Sequence, residues 1–104
     1  MLEQIKKLLG MAPGADLAEV LSRGAVIVDV RTPGEYAGGH IKGSVNIPLD
    51  ALSSQLAKLK KDKPVITCCA SGMRSSSAKS MLQSSGFKEV YNGGSWSSLK
   101  KFER

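Results

Sequence analysis

Seven consecutive residues, Cys69-Ala70-Ser71-Gly72-Met73-Arg74-Ser75, combine a thiol, a run of small residues and a permanent cation. A thiolate is the reactive form of cysteine, and it forms more readily beside positive partial charges. The N–H groups at the start of a helix are unpaired and carry such a charge. Small residues at Ala70, Ser71 and Gly72 allow successive N–H groups to turn inward as a nest for an anion. Arg74 adds a planar fork suited to an oxyanion, and substrate binding is favoured for it over the alternative of a structural ion pair. The chemistry expected is nucleophilic attack by Cys69, with a negative group on sulfur held by residues 70 to 75. Met73 is expected at the loop rim. Ser71 and Ser75 supply hydroxyls or serve as small residues and a cap.

The flanking segments must position this loop. Pro64-Val65-Ile66-Thr67-Cys68 is a continuous apolar run that reads as a strand buried on both faces, with Pro64 at its first position. Ala78, Met81 and Leu82 follow at helical spacing, and Gly86 closes that stretch. Cys69 is therefore expected where a strand stops and a helix starts, in the crevice that holds ligands in open α/β sheets. The adjacent Cys68 creates a second register. From Cys68 five residues precede Arg74, which is the spacing of cysteine-dependent phosphatases; from Cys69 four do, which gives a smaller cradle. Cys68 reads as strand interior, hence a small buried apolar residue. No acid near the loop is apparent to protonate a phosphatase leaving group. A vicinal Cys68–Cys69 disulfide would be geometrically strained.

Cys69-x-Ser71-Gly72-x-Arg74-Ser75 resembles the active-site loop of the rhodanese (sulfurtransferase) family. A second, separate stretch is similar to that family's first signature: Asp29-Val30-Arg31-Thr32-Pro33-Gly34-Glu35-Tyr36, then Gly39-His40-Ile41-Lys42-Gly43-Ser44-Val45-Asn46-Ile47-Pro48. The resemblance covers roughly residues 25 to 96. It implies a single rhodanese-like α/β domain and a persulfide on Cys69. It also implies that Asp29 and Arg31 support the loop from behind and that His40 is no general base. On the residues alone, Asp29 and Arg31 read as a loop cap and an ion-pair partner. His40 reads either as a base for Cys69 or as a histidine bonded to backbone, and the second is favoured. Val90-Tyr91-Asn92-Gly93-Gly94-Ser95-Trp96 is shorter than the family's pattern, so the mouth of the site is expected to differ.

Composition narrows the alternatives. A chain of 104 residues suits one domain. No apolar run approaches the ~20 residues of a membrane span. Gly10, Pro13, Gly14 and Asp16 interrupt the N-terminal apolar stretch too early for a signal peptide, so a cytoplasmic location is expected. Net charge is +6, yet Lys58, Lys60, Lys61 and Lys63 lack interleaved aromatics. They read as a solvated helix end rather than a nucleic-acid surface. The positive field would also draw in small anions. Two adjacent cysteines make no disulfide framework, and no His or Cys cluster has metal-ligand spacing, so neither metal nor cofactor is expected.

Leu2, Ile5, Leu8 and Leu9 predict a short amphipathic helix, with a turn or linker to Gly14, so residues 1–14 precede a domain over 15–104. That helix is expected to pack on its own domain, although a partner or a membrane could take its apolar face. Asp16 and Glu19 have capping-box spacing before a helix on Leu17, Val20 and Leu21. Ala25 to Val28 predicts a buried strand. Thr32-Pro33-Gly34-Glu35 predicts a capped short helix closed by Gly38-Gly39. Val45 to Ile47 predicts a strand, and Leu52, Leu56 and Leu59 an amphipathic helix capped by Asp50. Glu89 to Tyr91 predicts the last strand, Asn92 to Gly94 a turn, and Leu99 with Phe102 a closing helix. The alternation predicts a central, mostly parallel sheet with helices on both faces.

The leading functional expectation is a sulfurtransferase that takes sulfane sulfur from a small anionic donor, which the resemblance implies is thiosulfate or a related compound, and passes it to a thiol or a sulfur-acceptor protein. The rivals are a cysteine-dependent phosphatase or arsenate reductase, and a persulfide carrier or binding module without turnover.

Overall fold

The computed structural model describes residues 16–103. The N-terminal helix and linker expected over 1–14 lie outside the described residues. Four parallel strands form one sheet in the order β2-β1-β3-β4: β1 Val26–Asp29, β2 Val45–Asn46, β3 Val65–Cys69 and β4 Val90–Ser95. The two central strands, β1 and β3, carry the apolar runs seen in the sequence. Val28, Val65 and Ile66 have almost no exposed surface. That is the burial a parallel sheet acquires when helices cover both faces.

The pleat sorts the strand residues into two cores. On one face Val28, Val30, Val65 and Cys69 pack with Leu52, Ala78 and Leu82. Ala78 and Leu82 belong to helix α3, Met73–Ser84. On the other face Ile27, Ile66 and Cys68 pack with Val20 and Leu99. Val20 comes from helix α1, Leu17–Ser22, and Leu99 from a 3-10 segment over Trp96–Phe102. Both helix layers meet the sheet through buried aliphatics. Truncating one such side chain, Leu82 for example, would cost about 2–5 kcal/mol.

The caps predicted at Asp16 and Thr32 hold. Asp16 accepts the Glu19 N–H at 3.2 Å and starts α1, while the Glu19 carboxylate turns to Arg23 at 2.8 Å. Helix α2, Pro33–Ala37, opens with a full reciprocal capping box between Thr32 and Glu35. Four expectations are corrected. The helix on Leu52, Leu56 and Leu59 is two 3-10 turns, Leu49–Ser54 and Leu56–Lys58, broken at Gln55. Pro48 precedes the first turn without a side-chain cap, so Asp50 is an exposed first-turn residue and not the cap. Serines favour local bonds over helix, and the Ser54 hydroxyl donates to the Ala51 carbonyl at 2.9 Å. Leu52 and Leu59 are nonetheless buried as their spacing required. The closing helix is likewise 3-10.

The fourth correction bears on the site. Asn92-Gly93-Gly94 is no turn; it continues β4 to Ser95. A Cβ on Gly93 would lie 2.8 Å from Ile66 Cγ2 and 2.9 Å from the Thr67 carbonyl. Only a residue without a side chain lets β4 pass this close to β3. The β3–β4 register then slips, from Thr67 opposite Asn92 to Cys69 opposite Ser95. Such irregularities re-aim side chains at sheet ends.

Candidate active site

Cys69 is the last residue of β3, and α3 begins four residues later, as the sequence predicts. Between them the chain curls over the sulfur. Gly72 has φ of +104°, a conformation that costs glycine little. That turn aims its N–H at Cys69 Sγ, 3.0 Å away, and the Ser75 N–H reaches the same sulfur at 3.4 Å. The Ser75 hydroxyl lies 3.6 Å from Sγ. Cys69 is fully buried under this loop. Burial pushes its thiol up. The backbone N–H and hydroxyl of Ser75 and the N–H groups of Gly72 and Ser71 outweigh it, so the thiol is held below its ordinary value. The helix N-terminus and nest inferred from the sequence thus converge on one sulfur atom.

The neighbouring Cys68 faces the other core. Burial, with the Asp29 carboxylate beside it, pushes its thiol up to about 12. It points away from the loop, and both cysteines are free thiols. The phosphatase register counted from Cys68 therefore has its thiol on the wrong face of the sheet.

The other loop residues divide by exposure. Ala70, Ser71 and Met73 form the outer rim, and Met73 is 79% exposed. Ser75 is fully buried. Its hydroxyl lies 2.6 Å from Asn92 Oδ1, which also accepts the Gly94 N–H at 2.9 Å. The Asn92 amide donates to the Gly72 carbonyl at 3.4 Å. Asn92 on β4 thereby ties together the two loop residues whose N–H groups hold the sulfur. Sequence reasoning missed it by reading that stretch as a turn.

Arg74 differs from expectation. Its Nη1 and Nη2 donate to both oxygens of the Glu35 carboxylate, at 2.8 and 3.0 Å. The guanidinium is close enough to Cys69 to feel its charge, but its hydrogen-bonding fork is turned to Glu35. Glu35 was recognised only as a helix cap. The Arg74 guanidinium, with the Thr32 backbone N–H, holds its carboxyl at about 2.

Asp29 and Arg31 form a buried support. Arg31 donates through Nε and Nη2 to Asp29 at 2.7–3.0 Å, through Nη1 to the Glu35 carbonyl at 3.3 Å and through Nη2 to the Gly39 carbonyl at 2.7 Å. Its guanidinium carbon stands 4.6 Å from the centre of the Trp96 ring. The ion pair thus joins the end of β1, helix α2 and the segment after β4. His40 is exposed, bonds the Tyr36 carbonyl through Nδ1 at 2.7 Å and stacks on the Tyr36 ring at 3.7 Å. That is the backbone-bonded histidine of the second reading, with no bond to Cys69. Among the described residues no cluster of His, Cys, Asp or Glu could hold a metal ion, and no helix is long and apolar enough to cross a membrane.

Residues 14–101 match the rhodanese-like domain family. The chain belongs to that family. The rhodanese-like domain is 43% identical over 70 residues to an uncharacterised Bacillus subtilis protein, YqhL, covering 67% of this chain and 56% of that one. It is 44% identical over 69 residues to the thiosulfate sulfurtransferase GlpE of Stutzerimonas stutzeri, covering 66% and 63%. In both cases the match spans less than two thirds of the relative. Among solved structures it resembles a human single-domain sulfurtransferase, with a TM-score of 0.71 and 28% identity over 85% of this chain and 92% of that one.

Proposed function

We propose that this rhodanese-like domain is a sulfurtransferase that carries sulfane sulfur on Cys69. The observation that carries the reading is the convergence of the Gly72 and Ser75 N–H groups on Cys69 Sγ. It favours a thiolate, and it would equally favour the terminal sulfur of a persulfide. The similarity to thiosulfate sulfurtransferases of the GlpE type supports thiosulfate as a donor. The Cys69 thiolate attacks the outer sulfur. The S–S bond of thiosulfate breaks and its electron pair leaves with sulfite. Cys69 then bears a persulfide anion held by the loop N–H groups. A nucleophilic acceptor, cyanide in the test tube or a thiol of a small molecule or protein, takes the outer sulfur and regenerates the thiolate. This is two-step covalent catalysis, and it needs neither metal nor cofactor. No base is required, because the loop itself lowers the thiol.

Intact mass after thiosulfate tests the reading on wild type, Cys69→Ser and Cys68→Ser. One added sulfur (about 32 Da), removed by cyanide and absent only from Cys69→Ser, is the expected result. No added sulfur, or loss only in Cys68→Ser, overturns it.

A further inference from the structure

Arg74 is the charged group best placed to greet an anion at the loop, and the structure has it occupied. Both of its terminal nitrogens face the Glu35 carboxylate. Glu35 is itself fastened. Its Oε1 also accepts the Thr32 N–H at 3.0 Å and the Thr32 hydroxyl at 3.2 Å, so the carboxylate belongs to the cap of α2 and is not free to swing aside. The Glu35 backbone carbonyl is held in turn by Arg31. Each side chain of the pair is 36% exposed, so the pair sits where solvent and small ions reach it. An end-on, two-bond guanidinium–carboxylate pair uses the same donors that would grip a thiosulfonate or sulfonate oxygen. Its net charge is zero.

We propose that Glu35 is a specificity-determining residue that withholds the Arg74 guanidinium from small anions, so that the site takes anionic reagents and donors less readily than it would with Arg74 free. The proposal rests on the sulfurtransferase reading for its consequence, not for its test. Selectivity here comes from an unfavourable element as much as from contacts. With Arg74 engaged, an incoming anion finds only the loop N–H groups, and the pair at the rim offers it no net positive charge.

The experiment compares alkylation of Cys69 by iodoacetate, which is anionic, with alkylation by iodoacetamide, which is neutral. The variant is Glu35→Gln, which keeps an amide oxygen for the Thr32 N–H and loses the charge. The iodoacetate-to-iodoacetamide rate ratio is expected to rise about 5- to 10-fold at low salt. The rise should shrink as salt screens the freed guanidinium, and it should vanish in Glu35→Gln/Arg74→Gln. In turnover the same variant should lower KM for thiosulfate while kcat changes less. An unchanged ratio in Glu35→Gln, or a rise that survives in the double variant, overturns the proposal. A rise that came from partial unfolding would not depend on Arg74 and would survive in the double variant. Alkylation requires no sulfur transfer, so wild-type protein that takes no sulfur from thiosulfate would sink the sulfurtransferase reading alone.

Discussion

Cys68 and Cys69 are adjacent, equally buried, and opposite in character. The pleat of β3 turns them to different faces. Below the sheet Cys68 lies among Ile27, Ile66 and Leu99 with the Asp29 carboxylate alongside, and its thiol is pushed up to about 12. Above it Cys69 meets the N–H groups of Gly72 and Ser75, and its thiol is held below the ordinary value. Burial acts in the same direction on both. The difference is whether oriented dipoles meet the charge that burial would otherwise suppress. Ionisation of a thiol in this domain is therefore set by the groups around the sulfur, not by its depth.

Leaving only the lower thiol is the severest way to break this comparison. In Cys69→Ser, iodoacetamide alkylation at pH 8 should fall on the order of 1,000-fold or more, since Cys68 is scarcely ionised there. Alkylation of Cys68 at a rate near wild type would show that the two faces do not differ. A smaller effect should come from loosening the loop while both thiols remain. Asn92→Ala removes the tie between β4 and the residues Gly72 and Ser75. Those residues donate to Sγ and stabilise the thiolate, so their loss of order moves the midpoint of Cys69 alkylation upward, by about 0.5–1 pH unit. A midpoint that stays put would relieve Asn92 of any positioning role. The smallest effect on chemistry is expected from Cys68→Ala. It should leave the alkylation profile unchanged and lower stability by about 1–2 kcal/mol in denaturant unfolding, as a small buried apolar group is lost. A shift in the alkylation profile would mean that the two cysteines are coupled through β3.

Much of the fold can be read along the chain. Two apolar runs identify β1 and β3, because a strand buried on both faces has no polar side to show. Thr32 and Glu35 announce α2, since a capping box is a local contact between residues three apart. The leucines at 52, 56 and 59 tell which residues enter the core but not the backbone that carries them. Side-chain spacing is nearly the same for an α-helix and for short 3-10 turns, while the serines, Gln55 and Pro48 tip the backbone toward the latter. Asn92 to Gly94 has turn composition, yet Gly93 is there because β4 must pass against Ile66 and Thr67. A glycine needed for close approach looks the same in sequence as one needed for a bend.

The sequence by itself placed Cys69 where strand gives way to helix, with the small residues that let the chain curl over it. Both depend on residues within a few positions of one another, where spacing dictates geometry. It also read Asp29 as a loop cap, Arg31 as an ion-pair partner and His40 as bonded to backbone, without naming the partners. Tertiary structure alone decided the partners: Arg74 with Glu35, 39 positions away, and Ser75 with Asn92, 17 away. Each pair joins elements that meet only because neighbouring strands lie side by side in the sheet, a few ångströms apart whatever their separation in the chain. The chain carries the charged and polar groups in plain view; the sheet chooses which of them are spent on each other and which are left for a substrate.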